Sequence, residues 1–243
     1  MKLLTGLRNS SHMVAIFAIT VCTIVLNPSF ITTASADCGD AAGAGVDWQD
    51  CRKRNLIMTE SDFSGSNFSR TDLTSSDLRK SILNKSNFTK ANLVRASLKG
   101  ATATGTNFSG IIAYRTDFSE SDLTNANFDK AEISRSNFSG TVIRNANMSK
   151  GEFFRSDFTD AQLGNVNFDF SNLGRSNFSE TTVTKPISMR GAFLFRTRID
   201  GADLSKVEGL KDWQIEMACG DENTILPNGL VHPESWPCSE DDG

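Results

Sequence analysis

The sequence predicts an all-β solenoid, and three observations carry that prediction. Every fifth residue from Met58 to Leu204 is apolar, over 30 consecutive units with one residue inserted at Pro186. Of the 30 central positions 28 are large and apolar, the others being Ala103 and Ala113. Two positions before the centre stands Ser, Thr, Ala or Gly in 26 units, and the residue between is Asp or Asn in 17. A period of five fits neither a helix nor a plain strand. An internal repeat this long reads as a solenoid. The small residue and the centre must both point inward, because they alone are consistently uncharged. The short polar Asp or Asn suits a backbone turn. Each unit is then one short side of a coil, with a turn at its corner.

Units such as Ser61-Asp62-Phe63, Ser66-Asn67-Phe68, Thr71-Asp72-Leu73 and Ala91-Asn92-Leu93 resemble those of the pentapeptide-repeat family, over residues 58–206. The resemblance implies a right-handed quadrilateral β-helix, with four units in each 20-residue turn. Thirty units then make 7.5 coils, and a strand spacing of about 4.8 Å makes the rod roughly 36 Å long. On that geometry Phe118, Phe138, Phe158 and Phe178 stack in one internal column. Phe68, Phe88, Phe108 and Phe128 stack in the opposite one.

Residues 1–36 read as an export signal. Lys2 and Arg8 make a positive start, Met13 to Leu26 is a short apolar run, and Ala34-Ser35-Ala36 is a cleavage site of the A-x-A kind. The alternative is an uncleaved membrane anchor, for which the run is short. Asp37 before Cys38 departs from a lipoprotein signal. Loss of Lys2 and Arg8 with the signal moves the net charge from −4 to −6. The expected location is periplasmic or secreted.

Four cysteines follow the signal, in two pairs at the two ends: Cys38 with Cys51, and Cys219 with Cys238. An oxidising compartment favours two disulfides. A zinc site is the alternative, but there is no C-x-x-C spacing and His232 is the one histidine after the signal. Residues 37–57 read as an N-terminal cap in which Val46 and Trp48 cover the first coil. A bare coil end would invite edge-to-edge association, so the rod ends are also where oligomers would form. Residues 207–243 read as a C-terminal cap and tail. Leu210, Trp213, Ile215 and Met217 have helical spacing, Gly220 is placed to stop the helix, and Trp213 and Trp236 read as cap packing.

Catalysis is not expected. There is no H-E-x-x-H, G-x-S-x-G or P-loop, and one histidine leaves little for acid–base work. No cofactor or metal is expected either. A polysaccharide-active enzyme of the β-helix kind remains the remote alternative.

The outward positions carry the candidate site. Two residues after the centre, successive coils place Arg95, Arg115, Arg135, Arg155, Arg175 and, after the insertion, Arg196 at one corner. One residue after the centre stand Val94, Tyr114, Ser134, Phe154, Gly174 and Phe195, so Tyr114, Phe154 and Phe195 interleave with the arginines. Like charges this close repel unless something negative lies among them. One reading is internal compensation by Asp117, Asp157, Glu132 and Glu152. The other is an external linear polyanion or acidic protein surface, held by bidentate arginine contacts with the aromatic rings adding stacking. Family members that inhibit DNA gyrase do so with an acidic rod. An export signal and an ordered positive column depart from that pattern, so a DNA-mimic role is the alternative and nucleic acid is not the expected partner. The resulting expectation is an exported, non-enzymatic scaffold or binding protein.

Overall fold

A computed structural model describes residues 37–238; the expected export signal at 1–36 lies outside the described residues. Backbone pairing recurs every 20 residues. Asp47 bridges Asn67, and that column runs on through Asn87, Asn107, Asn127 and Asn147 to Asn167, all parallel. Four such columns, offset by five residues, close each turn, so four five-residue sides make one square coil.

The corners explain the period. In most units the carbonyl of the central residue accepts the N–H three residues on, as from Ser66 to Phe63 at 3.1 Å and from Thr71 to Phe68 at 3.0 Å. The third residue of the turn has positive φ, as at Arg70 (+56°) and Asn125 (+60°), which is type II geometry. The Asp or Asn stands just ahead of this turn rather than inside it. Its backbone makes the bridge between coils, and its side chain accepts the N–H two residues on, as Asp62 from Ser64 at 2.8 Å. The short carboxyl or amide thus caps the corner from the preceding strand.

One side of the rod is more strand-like. There β1 (Val142–Arg144), β2 (Gln162–Gly164) and β3 (Thr182–Val183) form a parallel sheet in the order β1-β2-β3. The extra residue at Pro186 follows β3 and changes the pairing interval to 21, as for Asn172 with Phe193 and Asn177 with Arg198. Beyond it β4 (Ile187–Ser188) pairs in parallel with β5 (Val207–Glu208).

The core is a pair of facing phenylalanine columns. Phe118, Phe138, Phe158 and Phe178 stack at 4.8, 4.8 and 4.6 Å, with interplanar angles of 6–9°. Phe68, Phe88, Phe108 and Phe128 stack at 4.6, 5.1 and 4.8 Å. The columns meet edge to face, as Phe118 meets Phe128 at 5.8 Å. Some of the buried Ser and Thr residues beside them give their hydroxyls to central carbonyls of the preceding coil, as Thr116 to Leu93 at 2.7 Å and Ser156 to Ile133 at 2.8 Å, and others to the centre of their own turn, as Ser121 to Phe118 at 2.6 Å. No buried side-chain polar atom among the described residues is left without a partner.

Both ends extend the coil beyond the repeats that the sequence marks. Asp47 and Arg52 already bridge the first full turn, so much of 37–57 is coil rather than a separate lid. Trp48 fills a central position and packs on Phe63 and Phe68. Lys53 occupies the next centre, with Nζ 3.6 Å from the Trp48 ring centroid and bonded to the carbonyl of Cys38 at 2.7 Å. That single lysine hides the unit from an apolar count. At the other end Arg198 bridges Cys219 and Asp203 bridges Ile225.

The terminal helix is shorter than its apolar spacing suggests: α1 is Asp212–Met217. Its inward residues are Gln214 and Ile215, which turns Trp213 to solvent at 49% exposure, contrary to the expected packing role. Gln214 closes the coil end by donating its amide to the carbonyls of Met189 (3.0 Å) and Ala192 (2.9 Å). The helix stops at Ala218, whose backbone is extended, and not at Gly220. Gly220 instead lies under Trp236, whose indole N–H donates to Ala218 at 2.7 Å. The disulfides Cys38–Cys51 and Cys219–Cys238 are both formed, one at each end.

Candidate functional site

The arginine column is set by the turns. Each member is the third residue of its corner, with φ between +53° and +59°. Each backbone N–H donates into the next coil: Arg95 to Tyr114 (3.0 Å), Arg115 to Ser134 (3.1 Å), Arg135 to Phe154 (2.9 Å), Arg155 to Gly174 (3.0 Å) and Arg175 to Phe195 (2.8 Å). Arg196 keeps the register past the insertion by donating to Met217 of α1 at 2.7 Å. The arginines therefore rise along one corner at the coil pitch, about 4.8 Å. Arg95, Arg115, Arg135 and Arg155 are exposed, and Arg175 and Arg196 are half-buried.

Ion pairing along the rod is uneven: among the described residues Lys85, Lys90 and Lys150 on other corners have no carboxylate within 4.0 Å, while other cations there are paired. On neighbouring corners opposite charges in adjacent coils pair, as Arg70 with Asp50 at 2.6 Å and Lys80 with Glu60 at 3.7 Å. Among the described residues, Arg95, Arg115, Arg135, Arg155 and Arg175 have no carboxylate partner within 4.0 Å. The carboxylates that sequence reasoning set against them are turned elsewhere. Asp117 accepts the N–H of Ser119 at 3.0 Å, and Asp157 accepts both the N–H (3.0 Å) and the hydroxyl (2.6 Å) of Thr159. Glu152 accepts the amide of Asn172 at 2.8 Å.

Four of the six arginines lie instead against the aromatic rings. The guanidinium carbon of Arg115 is 5.2 Å from the Tyr114 ring centroid, and that of Arg135 is 6.0 Å from the same ring. Arg155 stands 5.4 Å from Phe154, and Arg196 5.4 Å from Phe195. The Phe154 ring covers Gly174 of the next coil: a β-carbon there would lie 3.3 Å from the ring. Phe195 is 42% exposed and stacks on Phe193 at 6.1 Å. The pairing of each ring with the guanidinium of its own coil is visible in the sequence as adjacent residues. The part played by Gly174 is not.

No group of three or more His, Cys, Asp and Glu among the described residues could hold a metal ion. His232 is bonded to the carbonyl of Thr224 at 2.8 Å and packs on Trp236. No helix among the described residues is long and apolar enough to cross a membrane.

Comparison with known proteins gives two family matches. The profile described as Pentapeptide repeat region matches residues 112–185, and that for Pentapeptide repeats (8 copies) matches residues 71–110. No curated protein matches the chain. Among solved structures, HetL from the cyanobacterium Nostoc, a pentapeptide repeat protein involved in heterocyst differentiation regulation, is 21% identical. The match covers 80% of this chain and 88% of that one, with a TM-score of 0.33. Full-length QnrB1, a plasmid-mediated fluoroquinolone resistance protein, is 16% identical over 74% of this chain and 91% of that one, with a TM-score of 0.42. A pentapeptide repeat protein of the Arabidopsis thaliana thylakoid lumen is 25% identical over 53% and 69%, with a TM-score of 0.16.

Proposed function

The chain belongs to the pentapeptide-repeat family, and from that premise we propose that it is an exported, non-enzymatic binding protein whose arginine corner engages an extended polyanion. The observation that carries this reading is the unbroken column of five like charges at one corner, one in every coil, none of which has a carboxylate partner among the described residues. Each pair of neighbours repels by about 1 kcal/mol at coil spacing in water. An external row of anions removes that repulsion, and arginine meets phosphate, sulfate or carboxylate with two parallel hydrogen bonds. The two closed disulfides support export, since such bonds persist in oxidising compartments.

The test compares the protein with its Arg115→Gln, Arg135→Gln, Arg155→Gln variant on immobilised heparin, used as a generic linear polyanion. Retention that falls steeply with salt and is lost in the variant supports the reading. Equal elution of the two proteins overturns it. Inhibition of a DNA-processing enzyme without heparin retention would favour the DNA-mimic alternative instead.

A further inference from the structure

The second residues of the ladder turns alternate in size. Tyr114, Phe154 and Phe195 occur in every second coil, with Ser134 and Gly174 between them. The packing shows how the alternation works. Phe154 lies down over Gly174, where a β-carbon would meet its ring at 3.3 Å. A large side chain at 174 would lift the ring off the rod. Gly174 thus lets the Phe154 ring lie against the surface, and the rings recur at intervals of two coils, roughly 10 Å, while a guanidinium recurs at every coil.

We propose that the ligand of this corner is an extended acidic polysaccharide, one that carries a carboxylate or sulfate on its sugar rings; this rests on the polyanion reading above. Three features select it from other polyanions. A pyranose ring has an apolar C–H face that stacks on Tyr or Phe, which a bare phosphate chain lacks. In an extended β-linked chain one ring advances by about a coil pitch, and alternate rings present the same face. A platform at every second coil therefore meets equivalent faces, while each ring has an arginine beside it. Duplex DNA, by contrast, presents one charge per about 1.7 Å of its axis, which stays in step with neither repeat.

The positions also divide the labour. Arg95 to Arg175 supply charge attraction that is independent of sugar chemistry. Tyr114 and Phe154 supply the discrimination. Both are half-buried, and each stands beside a guanidinium, at 5.2 and 5.4 Å.

The experiment measures binding of two probes, β-linked polymannuronate and inorganic polyphosphate, at several salt concentrations. The proteins are the full chain, its Tyr114→Ser, Phe154→Ser variant and the triple arginine variant. Circular dichroism and melting confirm that each is folded. The expected result is tighter binding of polymannuronate, a loss of tenfold or more for that probe alone in the aromatic variant, and loss of both probes in the arginine variant. If polyphosphate binds as well as polymannuronate and the aromatic variant binds both unchanged, the polysaccharide assignment is overturned while the polyanion reading stands. If neither probe binds the unaltered protein, both are overturned.

Discussion

Arg70 lies across Asp50 of the preceding coil, and two hydrogen bonds of 2.6 Å join them. The guanidinium holds the Asp50 carboxyl below the usual carboxylate range. Arg79 does the same to Asp77 from within one unit, and the hydroxyl and N–H of Ser64 do so to Asp62. Depressed values stabilise the fold above the unfolded carboxylate pKa, near 3.9 to 4.3. That contribution is lost as pH falls through the lower folded values. Thermal melts should therefore be nearly flat from pH 7 to about 5 and fall only in stronger acid. A stability maximum in the acid range would contradict these pairings.

Phe138→Ala should destabilise the protein by about 3–5 kcal/mol, because the ring is fully buried between stacked neighbours and the rigid coils cannot close over the gap. Denaturant unfolding measures this directly. A loss under about 1 kcal/mol would mean that the column does not carry the core.

The triple arginine-to-glutamine variant should differ from the unaltered protein mainly in its response to salt. Screening relieves repulsion along the ladder, so added salt should raise the melting temperature of the parent more than that of the variant. If the arginines were internally paired the order would reverse, with salt weakening the parent.

Reduction of the disulfides should loosen the ends and leave the middle intact. The bridges span 13 and 19 residues and lie outside the phenylalanine columns. Each loop closure is worth about 3 kcal/mol in the chain-entropy account. Hydrogen exchange should accelerate near Trp48 and Trp236 on reduction, with amides around Phe138 unchanged.

Gly220→Ala places a β-carbon 2.5 Å from the Trp236 ring. The indole must move away, and its bond to Ala218 goes with it. A shift of tryptophan emission to longer wavelength and earlier proteolysis of the tail should follow, with little change in the rod. An unchanged spectrum would show that the tail repacks without strain.

Much of this could be read from the residues alone. The five-residue unit follows from counting and the square coil from the family resemblance; with four units to a turn, both phenylalanine columns and the register of Arg196 past Pro186 then follow, because each coil contacts its neighbours at a fixed interval. What escaped the count depended on contacts between residues far apart in sequence. Lys53 breaks the apolar pattern yet occupies a coil centre, because Trp48 and the Cys38 carbonyl receive it. Trp213 has the right spacing for a buried helix face, but carbonyls of Met189 and Ala192 select Gln214 instead. The partners of Asp117 and Asp157 were equally out of reach. Whether a carboxylate turns to an arginine or to its own corner is decided by turn geometry, which composition does not reveal.

The constant interval between paired strands has a consequence for deletions. Removing residues 134–153 would join Ile133 to Phe154 one whole turn later, leaving Arg155 in the place of Arg135. The ladder would lose one rung and keep its direction. Removing only five residues from the same region would carry every later rung a quarter turn around the rod, onto a different corner. Height along the axis and angle around it are thus separate coordinates, each addressed by how many residues are taken out.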